Sequence, residues 1–404
     1  MKPQPIFESS SMKTKSFAAG ATMLVLLSPA CMMKDPDFYD AELKSDSISS
    51  GGYGATGNGE GGANNTAELC VGVPCPCQIT EVASTEFQHS EDYAHAIKVC
   101  GGYVYVAEHH DPDEGRLLVL DAGTPGTIVS LHESLGLGVP YDLAIGQDQL
   151  LIASHTSRVT SSNFSYHTVY DPALFLVDIS SPGSALPSGE HEQPEYAPEP
   201  GTLLAMDDGT FRALYNGLLF SVAVTDGVPT STVTISSTVR TLSALATANG
   251  VLYLGGVASG VPTLWSVAGG VLSEDGGENA VAAPGSIQHL AAGGSVVLAA
   301  TSQASRNLVI YDTTNSPLAP VEAATYTTSG TVVSMEVAGD LVYVLSSEGL
   351  EVLDVADPAN PSLFGKLSDT SFESLSLDPE VPGLVYLGVN DGMRVYTGCR
   401  RSEP

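Results

Sequence analysis

Basic residues are scarce in this sequence: 15 Lys and Arg stand against 46 Asp and Glu, a formal net charge of −31. A surface this acidic repels phosphate backbones and anionic headgroups, which disfavours nucleic-acid binding. It stays compatible with divalent cations, basic partners or plain solubility. Also missing is any long stretch with a 3.6-residue apolar stripe, so helices do not organise the chain. There is no G-x-S-x-G, no H-E-x-x-H and no phosphate-binding Gly loop, and no nucleophile, base and acid stand together. Acyl transfer, zinc proteolysis and nucleotide chemistry therefore have no signature here.

What is present is turn-rich and repetitive. Gly and Pro number 42 and 25. The most informative stretch is 339–361, GDLVYVLSSEGLEVLDVADPANP. Two short runs, 341–345 and 350–355, are apolar on both parities and rich in β-branched residues, as expected of strands buried on both faces. Pro358 and Pro361 end the pairing, because Pro cannot donate to a ladder.

Seven copies of this unit can be placed, mostly at intervals of about 41 to 47 residues, with a longer one between the second and third. Their central strands are predicted at 103–107 and 117–121, 150–153 and 174–178, 211–215 and 218–222 (after 203–206), 251–255 and 264–267, 296–299 and 308–312, 341–345 and 350–355, and 384–388 and 393–397. This is the spacing of a four-stranded propeller blade. The expected fold is all-β, a seven-bladed β-propeller of four-stranded antiparallel blades. Asp121, Asp178, Asp312 and Asp354 recur after the third strand, with Pro125, Pro182, Pro317 and Pro358 behind them. Their expected role is to accept backbone N–H bonds and set the turn before the outer strand.

The pattern GDLVYVLSSEGLEVLDVADPANPSLFGKL resembles the LVIVD-repeat β-propellers of bacterial exported proteins. The resemblance covers most of residues 90–397, is strong in the sixth copy, fair in the first, second and fifth, and poor in the third and fourth. It implies a fold and no fixed activity, so function has to come from a site.

The N-terminus reads as an export signal. Lys13 and Lys15 precede a short apolar run, 17–27, too short to span a bilayer. Leu27-Ser28-Pro29-Ala30-Cys31 resembles the lipobox of bacterial lipoproteins, with Leu27 four residues before the Cys instead of three. That makes Cys31 the expected lipidation site; ordinary cleavage after Ala30 is the alternative. Met32 after Cys31 implies, by the same resemblance, the outer membrane of a Gram-negative bacterium. Residues 34–69 are Gly-rich with almost no apolar content and read as a tether with a reach of about 30–35 Å. The expected organisation is a signal peptide at 1–30, anchor and tether at 31–69, and the propeller at 70–404.

The seventh copy lacks an outer strand, and the spare segment 78–87 (QITEVASTEF) is placed to supply it, closing the ring and leaving no exposed edge to drive self-association. A monomer is expected. Closure would bring Cys399 to Cys77, or to Cys75 as the alternative, and export permits a disulfide there. A metal at Cys75 and Cys77 is a weaker reading, because no Cys-His motif accompanies them. Cys100, at the end of an inner strand, reads as a buried thiol.

Two candidate sites follow. Long loops on a rigid scaffold tend to carry binding, and the longest are expected at 108–115, 154–171 and 196–200. They hold His109, His110, Asp111, Asp113 and Glu114 beside Tyr166, His167 and Tyr170. Imidazoles and carboxylates could hold a metal, and the aromatics could stack on a sugar or peptide. The second site is the channel mouth, where aligning the inner strands places His95, Asp142, Thr202, Ser243, Gln288, Ser334 and Glu373 in one ring. The expected function is a binding or scaffold module at the cell envelope. Its partner would be an envelope or extracellular protein or a glycan, and the membrane would be touched only through the lipid anchor. The alternative is a calcium-dependent hydrolase or lactonase with Asp142 and Glu373 near a channel Ca2+; otherwise no cofactor is expected.

Overall fold

The computed structural model describes residues 69–399 apart from 71–72, 75–76, 88–92, 112–113, 125–126, 136, 147, 163–164, 193–202, 208, 216, 226–227, 236–239, 269–278 and 391. Cys31, Asp113, Thr202 and the expected loop at 196–200 lie outside the described residues. Seven four-stranded antiparallel sheets succeed one another along the chain. Each inner strand lies beside the inner strand of the next sheet, and the seventh returns to the first. The inner strands are Tyr93–Cys100, Val139–Ile145, Leu203–Asp207, Arg240–Ala248, Ile287–Gly293, Val332–Ala338 and Phe372–Leu377.

The double-sided apolar pattern of the second and third strands has a direct cause. A sheet in a ring has a neighbour on each face, so both side-chain parities are covered. Leu341–Ser346 and Leu384–Val389 are buried at every position. The core is accordingly divided into seven apolar clusters, each shared by two adjacent blades. A Tyr recurs at the third residue of the second strand, at Tyr105, Tyr253, Tyr343 and Tyr386, each at most 2% exposed. Two of these hydroxyls donate across to the next blade, Tyr253 to the Pro317 carbonyl at 2.9 Å and Tyr343 to the Cys399 carbonyl at 2.8 Å. Near the axis the sheets approach so closely that only Gly fits. A Cβ on Gly388 would lie 2.7 Å from the Ala94 Cβ, and one on Gly255 2.5 Å from Ile287 Cγ2.

Blade turns follow the recurring Asp. Asp121, Asp178, Asp312 and Asp354 each accept, through Oδ1, the backbone N–H two residues on, at 2.8–3.0 Å. Hydrogen bonds from Ser180 and Thr314 hold the Asp178 and Asp312 carboxyls below the usual range.

The ring closes through the chain's two ends. Thr80–Glu86 pairs with Gly392–Thr397 as the outer strand of the seventh blade, from Thr80↔Thr397 to Glu86↔Gly392. Cys77 and Cys399, 322 positions apart in sequence, are joined by a disulfide with Cα atoms 5.5 Å apart. The Cys77 N–H donates to the Phe364 carbonyl at 3.0 Å, and Gly365 makes room for the bridge, since a Cβ there would sit 2.5 Å from Cys399 Sγ.

Three expectations are corrected. Residues 108–115 are mostly strand: Tyr103–Asp111 and Glu114–Thr124 form one hairpin, because the ladder runs on to Asp111↔Glu114. Residues 154–171 form an extended hairpin of two 14-residue strands, Gln149–Ser162 and Ser165–Asp178. Their Ser, Thr and Tyr content suggests a loop, but those residues sustain a ladder where apolar burial is not required. Cys100 is disulfide-bonded and not a free thiol.

Replacing both Cys77 and Cys399 by Ser is expected to lower unfolding stability by about 2–4 kcal/mol. Urea melts of the double variant and of the oxidised wild type measure the difference. A double variant as stable as the oxidised protein would show that strand pairing alone holds the ring.

Candidate functional site

Six of the seven inner strands carry a β-bulge at the same level; the third is described only from Leu203 onward. The extra residues are His95, Tyr141, Ser243, Gln288, Val333 and Glu373. A bulge re-aims a side chain and kinks the strand, so this ring of bulges shapes the mouth of the channel. Below it lies a cavity of about 560 Å3 lined by the inner strands of all seven blades.

The expected ring is therefore only partly one ring. His95 and Glu373 occupy bulges and line the channel. Asp142 and Ser334 also line it, one residue past the bulge in their blades. Ser243 is turned to main chain, donating to the Ile287 carbonyl at 2.6 Å. Gln288 does not line the channel: it borders a separate cavity of about 540 Å3 between the fifth and sixth blades, among Asn307, Thr328 and Ser347. Alignment by sequence could not see that the bulge falls one residue earlier in the second and sixth blades.

Within the channel the charges are fixed by partners. Lys98 Nζ meets Glu336 Oε1 at 2.8 Å, with the two side chains 35% and 22% exposed. Glu336 Oε2 accepts the Leu377 N–H at 2.8 Å. The pair thus ties the sixth, seventh and first blades, although its partial exposure keeps its contribution to stability modest. Burial opposes the Lys98 charge, but Glu336 and then Asp142 outweigh it and hold the pKa above the ordinary value. Asp142 accepts the Leu143 and Leu204 N–H groups, each at 2.8 Å, bridging the second and third blades. Burial raises its pKa by more than Lys98 and these hydrogen bonds lower it.

At the mouth, between the first two blades, three imidazoles gather round a phenol. The His95 ring stands edge-on to His109 and to Tyr141, each at 6.0 Å, and Tyr141 lies 5.0 Å from His155. The Tyr141 hydroxyl hydrogen-bonds His155 Nδ1. Burial, then the His109 and His155 charges, pulls the His95 pKa from 6.5 to about 4, so the ring is neutral at pH 7. Burial also lowers His289 in the channel wall. Of the expected cluster, His109 joins this group. His110, Asp111 and Glu114 belong to the first-blade hairpin, and Tyr166, His167 and Tyr170 to the long second-blade hairpin.

Beside His109 the first-blade hairpin is locked by a buried ion pair. Arg116 Nη2 donates to Glu108 Oε1 at 2.8 Å and its Nε to Oε2, with Glu108 0% and Arg116 2% exposed. Neither this pair nor Lys98, Glu336, Tyr141 and His155 was singled out by sequence. Glu108 opposite Arg116 across a hairpin was the available signal. Among the described residues no group of three or more His, Cys, Asp or Glu side chains converges to hold a metal ion.

Two outcomes follow. Because the folded His95 pKa lies below the unfolded value, the unfolded chain binds more protons between about pH 4 and 6.5, and stability should fall as pH drops through that window. His95→Gln should remove part of the slope in urea melts across that window, and an unchanged slope would contradict the assignment. Glu108→Ala takes the carboxylate away from the buried Arg116 guanidinium and should cost about 3–5 kcal/mol in the same assay.

The LVIVD repeat family matches residues 92–122 and 329–369, in the first and sixth blades. None of the curated proteins compared matches the sequence. Among solved structures, the Cps50 (Swd1) β-propeller domain of Myceliophteria thermophila is 12% identical, with 80% of this chain and 100% of that one covered and a TM-score of 0.54. Sqt1 of Chaetomium thermophilum is 13% identical over 79% and 98%, with a TM-score of 0.50. BamB of Moraxella catarrhalis is 12% identical over 81% and 99%, at 0.47. Identities this low speak to the fold alone. The chain is a seven-bladed β-propeller carrying LVIVD repeats.

Proposed function

We propose that this chain is an exported, lipid-anchored propeller that binds a partner protein at the cell envelope through the face bearing the first- and second-blade hairpins. The observation that carries the binding reading is the asymmetry of the ring. The second-blade hairpin strands are 14 residues each, against 6 in the sixth and seventh blades, and they stand at the mouth where His95, His109, Tyr141 and His155 gather. A scaffold that lengthens one pair of strands beside a polar, aromatic mouth is arranged for recognition on that side.

Export is supported by the Cys77–Cys399 disulfide, which requires an oxidising compartment to persist. The basic and apolar run before Cys31 and the Gly-rich stretch behind it add a signal at 1–30 and an anchor and tether at 31–69. The body at 70–404 then works at a distance from the lipid. The outer membrane of a Gram-negative bacterium is the location that Met32 implies. Asp142, Glu336 and Glu373 leave the mouth acidic, which suits a basic partner surface.

In a Gram-negative host the wild-type chain should sediment with membranes, and Cys31→Ser should move it to the soluble periplasmic fraction; equal distributions would remove the anchor. A pull-down from envelope extract should recover fewer proteins with a His109→Ala/His155→Ala variant than with wild type. Equal recovery would remove this face as the binding surface.

A further inference from the structure

We propose that a basic, extended segment of a partner protein docks as an added strand on the open edge of residues 156–162, above the channel mouth. This rests on the binding face proposed above and supplies the mode of binding and the chemistry of the partner.

The edge is visible in the strand register. The long hairpin pairs without interruption from Gln149↔Asp178 to Ser165↔Ser162. The inner strand Val139–Ile145 accompanies the first arm only as far as Val139↔His155. The chain upstream cannot continue that pairing, because Leu137 is not in a strand and its N–H donates to the Gly115 carbonyl at 3.3 Å. Residues 156–162 therefore run on for seven positions with one side paired and, among the described residues, no strand on the side toward the channel.

An open edge of this length is a template for another chain, and proteins that avoid such pairing guard it with Lys, Pro, bulges or inward charges. Residues 156–162, TSRVTSS, hold no Lys and no Pro, and their ladder carries no bulge. Arg158 is the only charged residue among them. Thr156, Val159 and Thr160 favour strand. In the other six blades the described second strands run at most two residues beyond their pairing with the inner strand, so this seven-residue inner edge stands apart.

The occupant follows from position and charge. A strand added here continues the line of Val139–Ile145 outward and lies over the mouth, within reach of the channel carboxylates Asp142, Glu336 and Glu373, which Lys98 alone opposes from within the channel. A net charge of −31 discourages a second copy and draws in a basic segment. Main-chain hydrogen bonds would supply affinity, and Lys or Arg side chains pointing into the mouth would supply selectivity.

The test uses the full chain and two synthetic peptides of about nine residues, one alternating Val with Lys and one alternating Val with Glu. Fluorescence anisotropy should show binding of the Lys peptide only, weakening between about 50 and 500 mM salt. Hydrogen exchange should slow at amides within 156–162 when that peptide is bound. Replacing residues 157–170 by Asn-Gly, which keeps the Thr156↔Asp171 pair, should weaken binding by about tenfold or more. No binding, equal binding of both peptides, or binding without protection of 156–162 would overturn the proposal, and the exchange result stands even if the shortened hairpin disturbs the blade. If the shortened chain binds normally while Asp142→Asn/Glu373→Gln weakens binding, the edge is wrong and the binding face stands. If neither change matters, both fall.

Discussion

Everything in this molecule depends on the last sheet finding its fourth strand. Each blade covers its faces with its neighbours, so an open row would leave two apolar faces and two inner edges exposed. Pairing Thr80–Glu86 with Gly392–Thr397 removes those ends, and the Cys77–Cys399 bridge fastens the same junction a few residues away. The cost is kinetic and entropic, because the contact joins residues over 300 positions apart. The return is that all seven inter-blade clusters become equivalent, with no weak end.

Closure also makes the channel and decides what it contains. Once inner strands face one another, polar residues along them must find partners across a shared space. Lys98 reaches Glu336 of the sixth blade, which also holds the Leu377 N–H of the seventh, and Asp142 holds the third blade through Leu204. These contacts stitch the inner strands of different blades together across the channel.

Much of the architecture was legible in the residues. The Tyr343 strand and its copies are apolar on both parities, and that pattern has one explanation, burial on both faces. The spare segment at 78–87 and the missing outer strand after Tyr396 pointed to each other. The recurring Asp read correctly as a turn acceptor because Asp121, Asp178, Asp312 and Asp354 act locally, on an N–H two residues away. The candidate site was legible only in outline. His95, Asp142 and Glu373 reach the channel, but Gln288 borders another cavity although it occupies the same bulge position as His95 and Glu373, a difference that leaves no mark in composition. The 154–171 stretch reads as a loop because its Ser, Thr and Tyr residues lack the apolar signal that identifies the buried strands.

The sequence by itself determined the repeat, the buried central strands, the number of blades and the way the ring shuts. These follow from short-range rules: side-chain parity, turn chemistry and the inability of Pro to donate. Only the tertiary structure decided which polar residues meet. Lys98 and Glu336 lie 238 positions apart, and Tyr141 joins His155 across two strands. Such pairings depend on where each strand bends and how closely the sheets approach, and those are properties of the assembled ring that no local stretch encodes.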